Sequence, residues 1–139
     1  MNIIRNAIFF FIACGVFSSC SQKAENKRVS FKDNVISCQF KMSQLYEEKY
    51  DSFYIIPPYF YDDSIPNHIV IDDDLKNYCI KKLRMNDKTY IMLLTVSNHV
   101  TSYSVINRDD VWYFHLPYYK GISMEKTLYM SKNRYIYAE

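Results

Sequence analysis

The stretch TYIMLLTVSNHVTSYSVI, residues 89–106, constrains the fold more than any other part of the chain. Two runs rich in β-branched and aromatic residues, 89–96 and 100–106, flank the polar Ser97, Asn98 and His99. That is the pattern of a β-hairpin, with the three polar residues, His99 included, in the turn. Further strands follow from the same signals. SFYIIPPY from Ser52 is stopped by Pro57 and Pro58, and VWYFHL, residues 111–116, follows the polar turn NRDD and is stopped by Pro117. TLYM and RYIYA around SKN read as a last hairpin. In DDDLKNYCIKKLRM, Leu75, Tyr78, Cys79 and Leu83 fall on one face at helical spacing. Asp72, Asp73 and Asp74 stand at its start and Lys81, Lys82 and Arg84 at its end, the charge order the helix dipole favours. SQLYEEKY predicts a second, shorter helix. The fold class expected is therefore α+β, a mainly antiparallel sheet carrying one or two short helices.

The N-terminus has a different character. Residues 7–17, AIFFFIACGVF, make an apolar run of 11 residues, whereas a helix crossing a bilayer needs about 20. Arg5 precedes the run and the small Ser18 and Ser19 follow it, which describes a secretory signal. A buried N-terminal helix is the plainer alternative, but nothing polar marks a solvent face from Ile8 to Ala13. The sequence VFSSC resembles the lipobox of bacterial lipoproteins, in which the chain is cut just before a cysteine that carries diacylglycerol. The resemblance implies a signal peptide over residues 1–19 and a lipid anchor, with a palmitate-type acyl load, at Cys20. It departs from the commonest pattern in having Phe17 where Leu is usual. Cys14, in FIAC, is the rival acceptor, but it would shorten the apolar core to residues 7–13. Each buried methylene contributes about 0.8 kcal/mol, so two or three acyl chains hold a protein on its membrane. Ser21 is not the Asp that retains some lipoproteins in the inner membrane, so the same resemblance implies the outer membrane. Residues 20–28 are then the lipidated cysteine and a polar tether, whose eight residues SQKAENKR reach at most roughly 28 Å. Residues 29–139 contain no linker or low-complexity tract and have the length of one domain.

Charge argues against a nucleic-acid partner. The formal net charge is +2, and loss of Arg5 with the signal lowers it by one. Counterion release needs clustered Lys and Arg. The densest cluster, Lys81, Lys82 and Arg84, is equally a solvated helix end.

Candidate chemistry is sparse. With Cys14 removed and Cys20 lipidated, Cys38 and Cys79 remain as an even pair in an oxidising compartment. Bridged, they would close a loop worth about 4 kcal/mol in the chain-entropy picture. The alternative is two buried thiols, Cys79 on the inner face of its helix. His68, His99 and His115 lack the local spacing of a zinc site. The aspartates at 62–63 and 72–74 lack the alternation and glycine of a calcium loop, and read as helix caps. No metal or cofactor is expected. Only Gly15 and Gly121 occur in the whole chain, so phosphate-cradling loops, dinucleotide fingerprints and a nucleophile elbow cannot be built. No catalytic residue is assigned and an enzyme is not expected.

Aromatic residues are the one excess, 17% of the chain with 14 tyrosines. Sheet packing accounts for most of them. PPYFYDD and HLPYYKG are different, because rings clustered beside prolines in loops cannot all face a core. If both loops meet at one edge, Tyr59, Phe60, Tyr61, Tyr118 and Tyr119 form a binding patch. YDSFYIIPPY, followed by IMLLTVSNHVTSYSVINRDD, is similar to a group of small uncharacterised bacterial lipoproteins. That group has Trp where this chain has Tyr50, and often a Gly- or Asn-containing turn where this chain has SNH. The resemblance implies the fold and the envelope address, and brings no activity. The expected role is a membrane-attached, non-catalytic binding protein with a protein partner. An immunity-type lipoprotein neutralising a toxin is the alternative, and a hydrolase with an unrecognised site the second.

Overall fold

The computed structural model describes residues 23–31, 38–59 and 65–139. In chain order its elements are β1 (Glu25–Asn26), β2 (Gln39–Lys41), a 3-10 turn (Met42–Leu45), β3 (Ser52–Ile56) and helix α1 (Asp73–Leu83). Strands β4 (Thr89–Val96), β5 (His99–Asn107), β6 (Tyr113–His115), β7 (Ile122–Ser123), β8 (Thr127–Met130) and β9 (Tyr135–Tyr137) follow. They form a five-stranded sheet in the order β1-β5-β4-β3-β7 and a four-stranded sheet in the order β2-β8-β9-β6. The fold is α+β and mainly antiparallel, with two parallel pairs, β1–β5 and β6–β9.

Burial explains the lettering of the central strands. β3 and β4 are nearly unbroken apolar runs because both of their faces are covered, the situation that removes alternation from a strand. On one face Phe53, Ile55, Tyr90, Met92 and Leu94 pack against Phe40, Phe114, Leu128 and Ile136 of the four-stranded sheet. On the other, Tyr54, Ile56, Ile91 and Leu93 pack against Leu75, Cys79 and Leu83 of α1. The helix thus presents the stripe its sequence predicts, and Asp72 caps its N-terminus through Asp74 N at 3.4 Å.

The β4–β5 hairpin forms as expected, with one adjustment. Ser97 (φ 49°) and Asn98 (φ 64°) are both left-handed, the signature of a two-residue turn whose twist matches the strands, and His99 is the first residue of β5 rather than part of the turn. The register shifts between Leu94 and Thr95, leaving Thr101 as an extra residue in β5. That bulge moves Val100 to the helix side, while Ser102 and Ser104 face the four-stranded sheet. Both buried serines are hydrogen-bonded. Tyr50 Oη donates to Ser102 Oγ at 3.0 Å, and Ser104 Oγ donates to Lys27 O at 2.6 Å and takes the Tyr46 hydroxyl at 2.8 Å.

Three readings are refined here. SQLYEEKY is not a second α-helix. The 3-10 turn ends at Leu45 and Tyr46 is extended (φ −129°, ψ 144°), because Tyr46 and Tyr50 stack edge-on and hold serines of β5 instead. The 20–28 tether is not free along its described part. Glu25 and Asn26 pair with Ser102 and Tyr103, Lys27 N donates to Tyr103 O at 2.7 Å, and the Lys27 ammonium bridges Glu25 and Glu48. Cys38 and Cys79 are both free, the first exposed and the second buried. They belong to opposite sides of the five-stranded sheet, Cys79 under α1 and Cys38 beside β2, and burial pushes the Cys79 thiol up to about 12.

Candidate functional site

Two depressions share a wall at the end of the five-stranded sheet where β3 finishes, β4 begins and β5 finishes. One, of about 220 Å³, is lined by Pro58, Tyr59, Asp87, Tyr90, Arg108, Tyr113 and Tyr118. The other, of about 340 Å³, is lined by Asp87, Lys88, Asn107, Arg108, Asp109 and Trp112. Arg108 and Asp87 belong to both.

Each wall residue is placed by the backbone beneath it. The paired prolines end β3 and deliver Tyr59 in a left-handed conformation (φ 61°), where its N–H donates to Leu83 O at 2.8 Å. With its backbone tied to α1, the Tyr59 ring stands 52% exposed. Arg108 follows the last residue of β5. Its Nη1 donates to Asp87 O at 2.9 Å, its Nε to Trp112 O at 3.3 Å, and its guanidinium lies 4.9 Å from the Trp112 ring centroid. This fixes a cation beside an aromatic face, an attractive arrangement in its own right. Trp112, the only tryptophan, remains 46% exposed.

The floor is phenolic. Tyr90 is buried at the start of β4, with its ring centroid 5.0 Å from Phe114 and 6.4 Å from Tyr118. Tyr113 lies 6.5 Å from Tyr118. Burial is the main reason the Tyr118 hydroxyl is held well above the ordinary phenol range, with hydrogen bonds to Tyr113 and Tyr90 adding to it. Burial raises Tyr90 as well, opposed by its bond with Tyr118 and by Arg108. Both phenols therefore stay neutral near pH 7 and serve as donors and acceptors.

The five-residue patch read from the sequence is partly assembled. Tyr59 and Tyr118 line one cleft. Tyr119 (φ 56°) does not join them, because its N–H donates to Ile55 O at 3.2 Å and its ring packs on the helix side of the sheet. Phe60 and Tyr61 lie outside the described residues. Asp87, Tyr90, Arg108, Trp112 and Tyr113 join the site from outside that patch. Only Trp112, a lone tryptophan beside the polar NRDD turn, carried a sequence signal. His99 and His115 line neither cleft, and His68 Nε2 lies 3.1 Å from Tyr54 Oη. Among the described residues no three His, Cys, Asp or Glu side chains converge as a metal site, and no helix is long and apolar enough to cross a membrane. Cys20 precedes the described residues. Compared with known proteins, the chain matches no protein-family model, no curated protein and no solved structure.

Proposed function

We propose that this chain is a bacterial envelope protein, held on its membrane by lipid at Cys20, whose folded part is a non-catalytic binding domain for a protein partner. The observation that carries the binding role is the pair of exposed rings, Tyr59 and Trp112, standing on either side of an Arg108 already fixed between two carbonyls. Tyr, Trp and Arg are the side chains that dominate binding energy at protein interfaces, since they bring large area and directed polarity at small entropic cost. The clefts, of about 340 and 220 Å³, can admit a protruding side chain, and the hydroxyls of Tyr113 and Tyr118 offer hydrogen bonds to a peptide backbone. The anchor is supported by VFSSC after a short apolar run.

Quantitative crosslinking on host membranes tests this reading, comparing the wild-type chain with Tyr59→Ala and Trp112→Ala. One partner is expected to be lost from both variants while their thermal unfolding stays close to wild type. A crosslinking pattern indifferent to both substitutions would remove the cleft from the binding surface. Identification of that partner as a toxin of a neighbouring cell would select the immunity role.

A further inference from the structure

We infer that the anchored chain stands upright on its membrane, with the Ser97–Asn98 turn toward the headgroups and the tyrosine clefts at the far end, open to the aqueous side. The inference rests on the Cys20 anchor and concerns which surface meets the lipid.

Strand direction decides it. β1 runs parallel to β5, and β5 runs from the Ser97–Asn98 turn toward the clefts. The chain therefore enters β1 from the turn side. Lys23 and Ala24 fit that direction, sharing a depression with Asp72, Asp74 and Leu75 at the start of α1 and with Tyr78 and Tyr103 further along. The start of α1 is itself tied to the turn, through Val70 N to Asn98 O at 2.8 Å and Val100 N to Val70 O at 2.9 Å. Cys20 is three residues before Lys23, a separation that spans at most about 11 Å. From the level of Glu25, which pairs with Ser102, to Asn107 at the cleft end is five residues along β5, or about 17 Å. Lys23 lies two residues, or about 7 Å, further toward the turn, so even a chain doubled back from it leaves Cys20 about 13 Å short of the clefts.

The turn end carries exposed aliphatic side chains beside Asp51, whose carboxylate accepts from Ser97 N at 2.7 Å. Val70 and Val96, two of the few exposed large apolar side chains, both pair with His99 there, at 55% and 38% exposure. Among the described residues the other exposed large apolar side chains, Tyr59, Met85, Trp112 and Tyr137, lie toward the clefts or on the second sheet. The molecule thus has two apolar poles, one aliphatic beside the anchor and one aromatic opposite it.

Trp112 supplies the test, since it is the only tryptophan and sits at the cleft pole. The full chain is expressed in a bacterial host, purified from membranes and reconstituted in phosphatidylethanolamine vesicles bearing dansyl headgroups. Energy transfer from Trp112 is then compared with transfer in Trp112→Phe chains carrying Val96→Trp or, as a second reporter, Val70→Trp. Transfer several-fold more efficient from either turn-end tryptophan is the expected result. Equal transfer, or stronger transfer from Trp112, overturns the orientation even if the anchor is real. Intact mass of the same preparation separates the two failures. A chain without acyl groups, or a Cys20→Ser variant that behaves identically, overturns the anchor and the orientation with it.

Discussion

Gly121 sits where a Cβ would stand 2.7 Å from Tyr54 Oη and 2.9 Å from its Cζ, closer than a methyl group and a ring can approach. Tyr54 has little freedom to yield, being 3% exposed and bonded to His68. Gly121→Ala is expected to cost about 1–3 kcal/mol, the range for overpacking a filled site. It should appear as a lower urea midpoint, partly restored when Tyr54→Phe removes the nearest atom. Ser104 shows the opposite hazard. Its hydroxyl has one hydrogen, which goes to Lys27 O, so Tyr46 must donate to it, and burial keeps the Tyr46 phenol neutral and able to do so. Ser104→Ala strands both partners and is expected to cost about 1–3 kcal/mol. In the Tyr46→Phe background the same change should cost less, which a double-mutant cycle would read directly. Additive losses would mean that the three groups do not act as a unit.

At the scale of elements, the β4–β5 turn is the most informative. It places two L-residues, Ser97 and Asn98, in the left-handed region that Asn-Gly fills with least strain. Ser97→Asn combined with Asn98→Gly should therefore stabilise the chain by roughly 0.5–1 kcal/mol, read as a higher midpoint with an unchanged denaturant slope. A destabilised variant would show that the Ser97 side chain has a role beyond the turn. This hairpin and α1 were legible because their signals are local: β-rich runs around polar residues, and a stripe at helical spacing between opposite charges. The turn could be located but not its last residue, since His99 joins the strand through pairing with Val96. β1 was not legible, because two polar residues make a strand only where the free edge of β5 receives them. The same holds for the site. Proline marked Tyr59 and Tyr118 as loop residues. Tyr90 and Arg108 belong to it because β4 starts and β5 ends at one edge, a matter of register that no local pattern carries. Tyr119 joins neither cleft for a related reason, since it and Tyr118 run beside β3 and so turn to opposite faces of a sheet covered on both.

In the whole molecule, three layers enclose two cores that share the five-stranded sheet as their common wall. β3 and β4 are covered on both sides, whereas β1 is a two-residue strand at an edge. Amide hydrogen exchange should then be slowest in β3 and β4 and markedly faster in residues 25–27, because edge pairing opens without disturbing either core. Uniform protection across the five-stranded sheet would mean that β1 is part of the same cooperative unit. The pairing of β1 with β5, and of β2 with β8, also sets an order of events in time. Glu25 meets Ser102 and Phe40 meets Leu128, so the earliest strands in the sequence wait for partners in its last third. Contacts so distant along the chain are slow to form. If the chain is exported amino-terminus first and lipidated at Cys20 as proposed, its anchored end would reach the membrane while the rest of the chain was still arriving. The attachment point would exist before the surface that steadies it, and the molecule would become upright only as its folding finished.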